Sequence, residues 1–135
     1  MRVEGDSAFL EIERSEVGAP DDPVDHDLLL NVTVKLANYS AADQCWIAAS
    51  DLEKFLLALR NLERQRQGKA VLVGADLQDL RLEFCSTDST GHMAVQGHVG
   101  WQKSEEFPLQ LKFGFEFEPD RLPFVLEYFE MISRR

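Results

Sequence analysis

Hydrophobic residues occupy every second position in the segment FPLQLKFGFEF, which runs from Phe107 to Phe117. This alternation predicts a β-strand with one buried face, because successive side chains of a strand point to opposite sides of the sheet. The other face carries Pro108, Gln110, Lys112, Gly114 and Glu116, with no nucleophile, base or ligand cluster among them. The segment therefore predicts a fold and not a reaction.

Similar stripes predict six further strands. They cover residues 7–14, 28–37, 44–48, 69–73, 80–85 and 92–101. Asn38, Tyr39 and Ser40 supply a turn, so the second and third strands are expected to form an antiparallel hairpin. The last four strands follow one another closely, which indicates an antiparallel meander.

Two segments have the three-and-four spacing of apolar residues that is typical of amphipathic helices. The first begins at Ser50, which has capping-box spacing to Glu53, and ends before the stop signal Gly68. The second follows Asp120, a predicted cap, and tolerates Pro123 in its first turn. Its residues available for burial are Leu122, Val125, Leu126, Phe129 and Ile132.

These elements predict a single α+β domain over residues 1–135. We expect a bent antiparallel sheet of about six or seven strands, arranged as a meander, with both amphipathic helices packed on one face. Residues 15–27 combine Gly18, Pro20, Pro23 and four aspartates, which predicts an acidic mobile loop. The two cysteines, Cys45 and Cys85, have no CxxC spacing and are predicted to be reduced core thiols.

The chain has a formal net charge of -10, and most of the imbalance lies near its beginning. Residues 1–30 hold nine acidic residues against Arg2 and Arg14. Such a field repels nucleic acid and anionic membranes, and it speeds encounter with a basic protein or a cation. Solubility alone is the simpler interpretation of the same charge.

No apolar run approaches the length that crosses a bilayer, and acidic residues interrupt the first segment, MRVEGDSAFLEIER, where a signal peptide would be apolar. The sequence therefore predicts a cytoplasmic protein with no membrane partner.

Searches for catalytic and metal-binding patterns find none that is specific. His92 and His98 share one face of a predicted strand but would lie about 20 Å apart at about 3.3 Å per residue, too far to share one ion. The aspartate-rich loop lacks the glycine and the later glutamate of a calcium loop. There is no GxSxG motif or phosphate-cradling glycine loop. We therefore expect no enzyme, no metal and no cofactor.

The negative charge near the beginning of the chain would attract a basic protein partner, and two alternatives to such an interaction remain open. A concave polar sheet face could bind a small molecule or peptide, or could assemble an active site, with His92, Gln96, His98, Gln110 and Lys112. Separately, an unprotected edge strand or an exposed tryptophan could form a homodimer. Trp46 and Trp101 are the candidates, although half-buried packing is the commoner role of a strand tryptophan.

Three segments together resemble a family of small uncharacterised bacterial proteins grouped with WapI-type immunity proteins. They are SDLEKFLLALRNLERQRQGKAVL, GHMAVQGHV and LQLKFGFEFEPDRLPFVLEYF, and the likeness covers residues 28–132. The resemblance implies a bacterial cytoplasmic protein that neutralises a toxin by binding it. The shared motifs are packing patterns, so they carry no site residue. If the toxin is basic, the expected steering charges are Asp21, Asp22, Asp25 and Asp27.

Overall fold

The computed structural model describes residues 1–15, 27–77, 79–101 and 109–134, and it describes Trp101 by its strand pairing alone. Within these residues the elements are β1 (Arg2–Gly5), β2 (Ala8–Arg14), β3 (Leu28–Leu36), β4 (Tyr39–Ile47), α1 (Ala49–Gln65), β5 (Lys69–Val73), β6 (Leu80–Ser86), β7 (Met93–Trp101), β8 (Leu109–Phe117) and α2 (Leu122–Ser133). A 3-10 turn, Pro119–Arg121, precedes α2. Neither helix is long and apolar enough to cross a membrane.

The strands form two antiparallel sheets of four strands each, in the orders β1-β2-β3-β4 and β5-β6-β7-β8. The predicted α+β class is confirmed, whereas the expectation of one sheet of six or seven strands is wrong. Helix α1 lies between β4 and β5 in the chain and separates two meanders. Alternation of side chains shows which face of a strand is buried but not where one sheet ends and another begins.

One hydrophobic core joins both sheets and both helices. Phe55 of α1 lies at its centre, with its ring centroid 4.9 Å from that of Phe129 in α2 and 6.0 Å from that of Phe84 in β6. The hydroxyl oxygen of Tyr128 accepts a hydrogen bond of 3.0 Å from the backbone N–H of Arg14, at the end of β2. The helices therefore contact elements of both sheets instead of covering one face of a single sheet.

The helix starts differ from those that the sequence predicts. Helix α1 begins at Ala49, its N-cap residue is Ala48, and no side chain of that cap residue makes a capping hydrogen bond, so the predicted cap at Ser50 is wrong. The carboxylate of Asp27 instead accepts a hydrogen bond of 3.1 Å from the Ala49 N–H. This acceptor comes from a distant part of the chain, which local spacing cannot reveal. Asp120 likewise lies in the 3-10 turn and does not cap α2.

The two cysteines are free thiols in different sheets. Cys45 is buried in β4, as the sequence predicts. Cys85 is half-buried on the outer face of β6, where its pairing partners are Lys69 and Ala94, so its prediction as a core thiol is wrong. Burial raises the pKa of both thiols, which keeps them protonated and weakly nucleophilic at neutral pH.

Candidate partner-binding surface

An open cleft of about 850 Å³ lies between β3 and β4 on one side and β7 and β8 on the other. Its apolar lining comes from the inner faces of both sheets. These residues are Val32, Ala41, Val99, Leu109 and Leu111. The cleft is therefore the place where the two sheets stop packing against each other.

Strand β8 shows how the core opens into this cleft. Phe117 and Phe113 are 5% and 9% exposed, Leu111 is half-buried, and Leu109 is 64% exposed. The predicted buried stripe is thus correct at the carboxyl end of the strand and wrong at Leu109, whereas Phe107 lies outside the described residues. Exposed apolar surface beside a cleft is a feature of interaction sites.

Three aspartates are here called the acidic rim. Asp43 of β4 lines the cleft, and Asp76 and Asp79 belong to the turn between β5 and β6, which is hydrogen-bonded to the cleft residue Gly100 through Asp79. Burial raises the pKa of the Asp43 carboxyl. The pKa of Asp79 is also raised, first by burial and then by the negative charges of Asp76 and Asp43. The Asp79 carboxyl therefore lies within electrostatic reach of both Asp76 and Asp43.

Backbone hydrogen bonds fix the acidic turn to both sheets. The Ala75 N–H donates to the carbonyl oxygen of Trp46 in β4 at 2.7 Å, and the Gly100 N–H of β7 donates to the carbonyl oxygen of Asp79 at 2.8 Å. Two exposed apolar side chains, Trp46 and Leu77, belong to the same region. The surface thus combines fixed negative charge with apolar contact area, as the centres and rims of protein interfaces do.

The steering charges expected from the sequence have different outcomes. Asp21, Asp22 and Asp25 lie outside the described residues. Asp27 is half-buried, and its carboxylate is bound to the first turn of α1. Asp43 was absent from the predicted site because the predicted strand began one residue too late to include it. Its signal was present in the sequence, since Asp43 lies on the inward-facing stripe of β4.

The five residues of the predicted polar ligand face do not converge on one pocket. His98 pairs with Lys112, and Gln110 follows on the same outer face of β8. Gln110 lines the cleft, however, while His92 lines a second cavity of about 680 Å³ beside the β1–β2 hairpin. His98 Nε2 lies 3.1 Å from the carbonyl oxygen of Leu77.

The fifth residue, Gln96, is engaged by a buried carboxylate that the sequence analysis did not single out. Its Nε2 donates to Glu83 Oε2 at 2.5 Å, and Glu83 also contacts Arg81 at 3.2 Å and Lys69 at 3.9 Å. The Gln96 hydrogen bond, aided by these cations, lowers the pKa of Glu83 despite its burial. This cluster satisfies its own charges, so Gln96 has a structural role.

His92, which directly precedes β7, also has a hydrogen-bond partner close to it in the chain. His92 Nδ1 lies 2.6 Å from Asp88 Oδ2, and that hydrogen bond raises the pKa of the imidazole. Both side chains are exposed in the turn before β7. Across the described ranges, no three His, Cys, Asp or Glu side chains form a group that could hold a metal ion.

Comparison with known proteins gives one match. The family described as immunity protein WapI-like matches residues 2–134 of the chain. No curated protein and no solved structure matches it. The matched range contains every helix and strand described above, so the likeness extends over both sheets and both helices.

Proposed function

This chain belongs to the immunity protein WapI-like family, and from that membership we propose that it binds a basic toxin protein in the bacterial cytoplasm and neutralises it without catalysing a reaction. The family match over residues 2–134 is the observation that carries the proposal. Membership supports an immunity-type function and a toxin as partner. The basic charge of that toxin is the proposal's own addition.

The charge of the chain supports this addition. With a formal net charge of -10, the protein attracts a cationic partner at long range and repels nucleic acid. A toxin that acts on nucleic acid needs cationic groups to approach phosphates, and an acidic inhibitor would cover those groups. Inhibition then requires only occupancy of the toxin's site, and no reactive group on the inhibitor.

We assign the long-range steering to Asp21, Asp22, Asp25 and Asp27. Asp27 contributes less than the other three, because its carboxylate already accepts the Ala49 N–H at the start of α1. Replacing the first three with asparagine should slow association with the toxin strongly at low salt and only weakly at high salt, since salt screens long-range electrostatic attraction. An unchanged association rate at low salt would remove these residues from the proposal.

The proposal is tested by retrieving the partner and measuring its inhibition. Tagged protein is incubated with extract of its native cells at low and moderate salt, and retained proteins are identified by mass spectrometry. We expect one basic protein that is released by salt and whose purified activity is lost on adding an equimolar amount of this chain. Recovery of the tagged protein alone, or of a partner whose activity persists, contradicts the proposal.

The alternative, a ligand-binding or catalytic polar face, receives less support from the geometry. Two of its five residues, Gln110 and His92, line separate cavities, and Gln96 is held by Glu83. The homodimer alternative is addressed by light scattering, which measures the mass of the purified protein directly.

A further inference from the structure

Strand β4 has a free edge over part of its length. It is the last strand of its sheet and pairs only with β3 among the described residues. At its carboxyl end the edge is covered, because the carbonyl oxygen of Trp46 accepts the Ala75 N–H. The stretch from Ser40 to Gln44 precedes this hydrogen bond, and among the described residues its outer edge pairs with no other strand.

The backbone groups of alternate residues in this stretch point away from β3. The Trp46 carbonyl, which bonds outside the sheet, identifies the even-numbered residues as the outward set. The Gln44 N–H confirms the parity, since it donates to Asp43 Oδ1 at 2.9 Å instead of to β3. Ser40 and Ala42 therefore direct their N–H and C=O groups outward, as an added strand requires.

The free edge borders the cleft. Residues 40–44 line it, and across it lie Val99, Leu109 and Leu111 of the second sheet. A strand added to β4 would place alternate side chains toward these apolar residues. The cleft thus offers backbone hydrogen bonds on one wall and apolar contacts on the other.

We infer that the β4 edge and the adjoining cleft bind an extended basic segment of the toxin as a fifth strand of the first sheet. This inference rests on the proposed function for the identity of the partner. The side chains of the added strand that face the core contact Leu109 and Leu111, and lysine or arginine side chains pair with the acidic rim.

Charge favours this occupant over a second copy of the chain. Two β4 strands paired edge to edge would bring two copies of Asp43 together, in a molecule that already carries a net charge of -10. Inward-pointing charges on an edge strand disfavour such self-pairing. A cationic segment meets the same carboxylates with attraction, so the acidic rim selects against self-association and for a basic strand.

The first test is hydrogen exchange of the free protein. The Ala42 amide, which points outward, should exchange much faster than the amides of Ala41 and Asp43, which the same parity directs toward β3. Equal protection of all three amides in the free protein would show that the edge is already occupied and would overturn the inference.

The second test uses a phage-displayed library of random twelve-residue peptides, panned against the wild-type protein. Two variants disable the site: Ala42→Pro removes an outward N–H at an edge position where proline is tolerated, and Leu109→Glu places an acid in the cleft. Leu57→Glu is the matched control, because Leu57 is 61% exposed on α1, close to the 64% of Leu109. Urea unfolding identifies any variant that fails to fold.

We expect enriched peptides that carry apolar residues and lysine or arginine at positions two apart, because Asp43, Leu109 and Leu111 all line the cleft and so meet the same face of the added strand. Their affinity should fall at least about tenfold on Ala42→Pro and Leu109→Glu and stay unchanged on Leu57→Glu. Peptides without this same-face pattern, or with equal affinity for all variants, overturn the inference. If Ala42→Pro does not fold, the comparison of peptide affinity between Leu109→Glu and Leu57→Glu still tests the inference.

The outcomes separate the inference from the proposed function. If all variants capture and inhibit a toxin from native cells equally, the proposed function stands and the cleft is excluded as the toxin-binding site. Peptides with the expected same-face pattern that bind the cleft, together with no toxin captured, leave the strand-binding site standing and remove the proposed partner. Light scattering of Ala42→Pro and wild type shows whether a second copy takes the edge instead, in which case the assigned occupant is wrong.

Discussion

Replacing Gly97 with alanine should be among the most destabilising single-methyl changes in this protein. Gly97 lies in the middle of β7, opposite Leu82 of β6 and Phe113 of β8. Its φ is +153°, a backbone conformation that residues with a Cβ rarely adopt. A Cβ there would collide with the carbonyl oxygen of Arg81 and would lie 2.7 Å from its carbonyl carbon and 3.2 Å from Leu82 Cα.

The expected cost has two parts. Holding alanine in an unfavourable backbone region costs about 1–3 kcal/mol. Pushing a neighbouring backbone away in a packed region adds about 1–3 kcal/mol, because no flexible side chain can yield. Together they predict a loss of about 2–6 kcal/mol, set against a total of about 5–15 kcal/mol for an ordinary domain. At an m-value of about 2 kcal/mol per molar urea, the unfolding midpoint falls by about 1–3 M.

The assay is equilibrium urea unfolding followed by circular dichroism, with Gly114→Ala as the control. Gly114 pairs with Gln96 on the neighbouring strand, and its φ does not fall in the region that L residues avoid. A Cβ there would lie 3.3 Å from Gln96 Cβ and 3.8 Å from the nearest backbone atom, so a shift of Gln96 by a few tenths of an ångström relieves it. We expect a change within about 1 kcal/mol. Equal midpoints for the two variants would refute the close-approach argument.

Three further predictions concern single side chains. Asp27→Ala should lower the free energy of unfolding in urea by about 1 kcal/mol, because the Ala49 N–H loses its acceptor. Asp27→Asn should keep most of the wild-type stability, because its side-chain oxygen can still accept this hydrogen bond. Equal losses of stability in the two variants would contradict the capping role of Asp27. Glu83 has a lowered pKa, so its ionised form stabilises the fold above its ordinary pKa, and that stabilisation is lost as pH falls through the folded pKa. Glu83→Gln should therefore show a smaller loss of stability than wild type between pH 7 and pH 3, and parallel losses would contradict it. Tyr128→Phe should cost about 1 kcal/mol, because the Arg14 N–H loses its acceptor, and an unchanged urea midpoint would show that water replaces it.

Local periodicity predicted most elements of the fold because burial of one face has a direct signature in the sequence. The strands of the second sheet and both helices lie close to their predicted positions. Strand β1, only four residues long, carries too few alternations to be recognised. The division into two sheets depends on which strands become neighbours, and that pairing involves residues far apart in the chain.

The candidate site was less accessible to sequence reasoning for the same reason. The acidic rim forms because a turn after β5 is hydrogen-bonded to β4 and β7, and no local pattern joins Asp43 to Asp79. Gly97 of β7 could not be interpreted from the sequence alone, since glycine in a strand marks either a bulge or a close backbone approach. At Gly97 the strand pairing runs on without interruption, so the structure selects the second meaning.

The arrangement of charge and apolar surface assigns different kinetic roles to the two proposed parts of the interface. Charges act through solvent over about a Debye length, so the aspartates proposed for steering, at positions 21, 22 and 25, should alter the association rate and its dependence on salt. Backbone pairing along β4 and contact with Leu109 form only after docking, so they should alter dissociation. Asp43 belongs to both parts, because it is charged and lines the cleft. Asp43→Asn should therefore slow association and also speed dissociation. A change in the association rate alone would place this carboxylate outside the bound interface, and a change in the dissociation rate alone would place it outside the steering field.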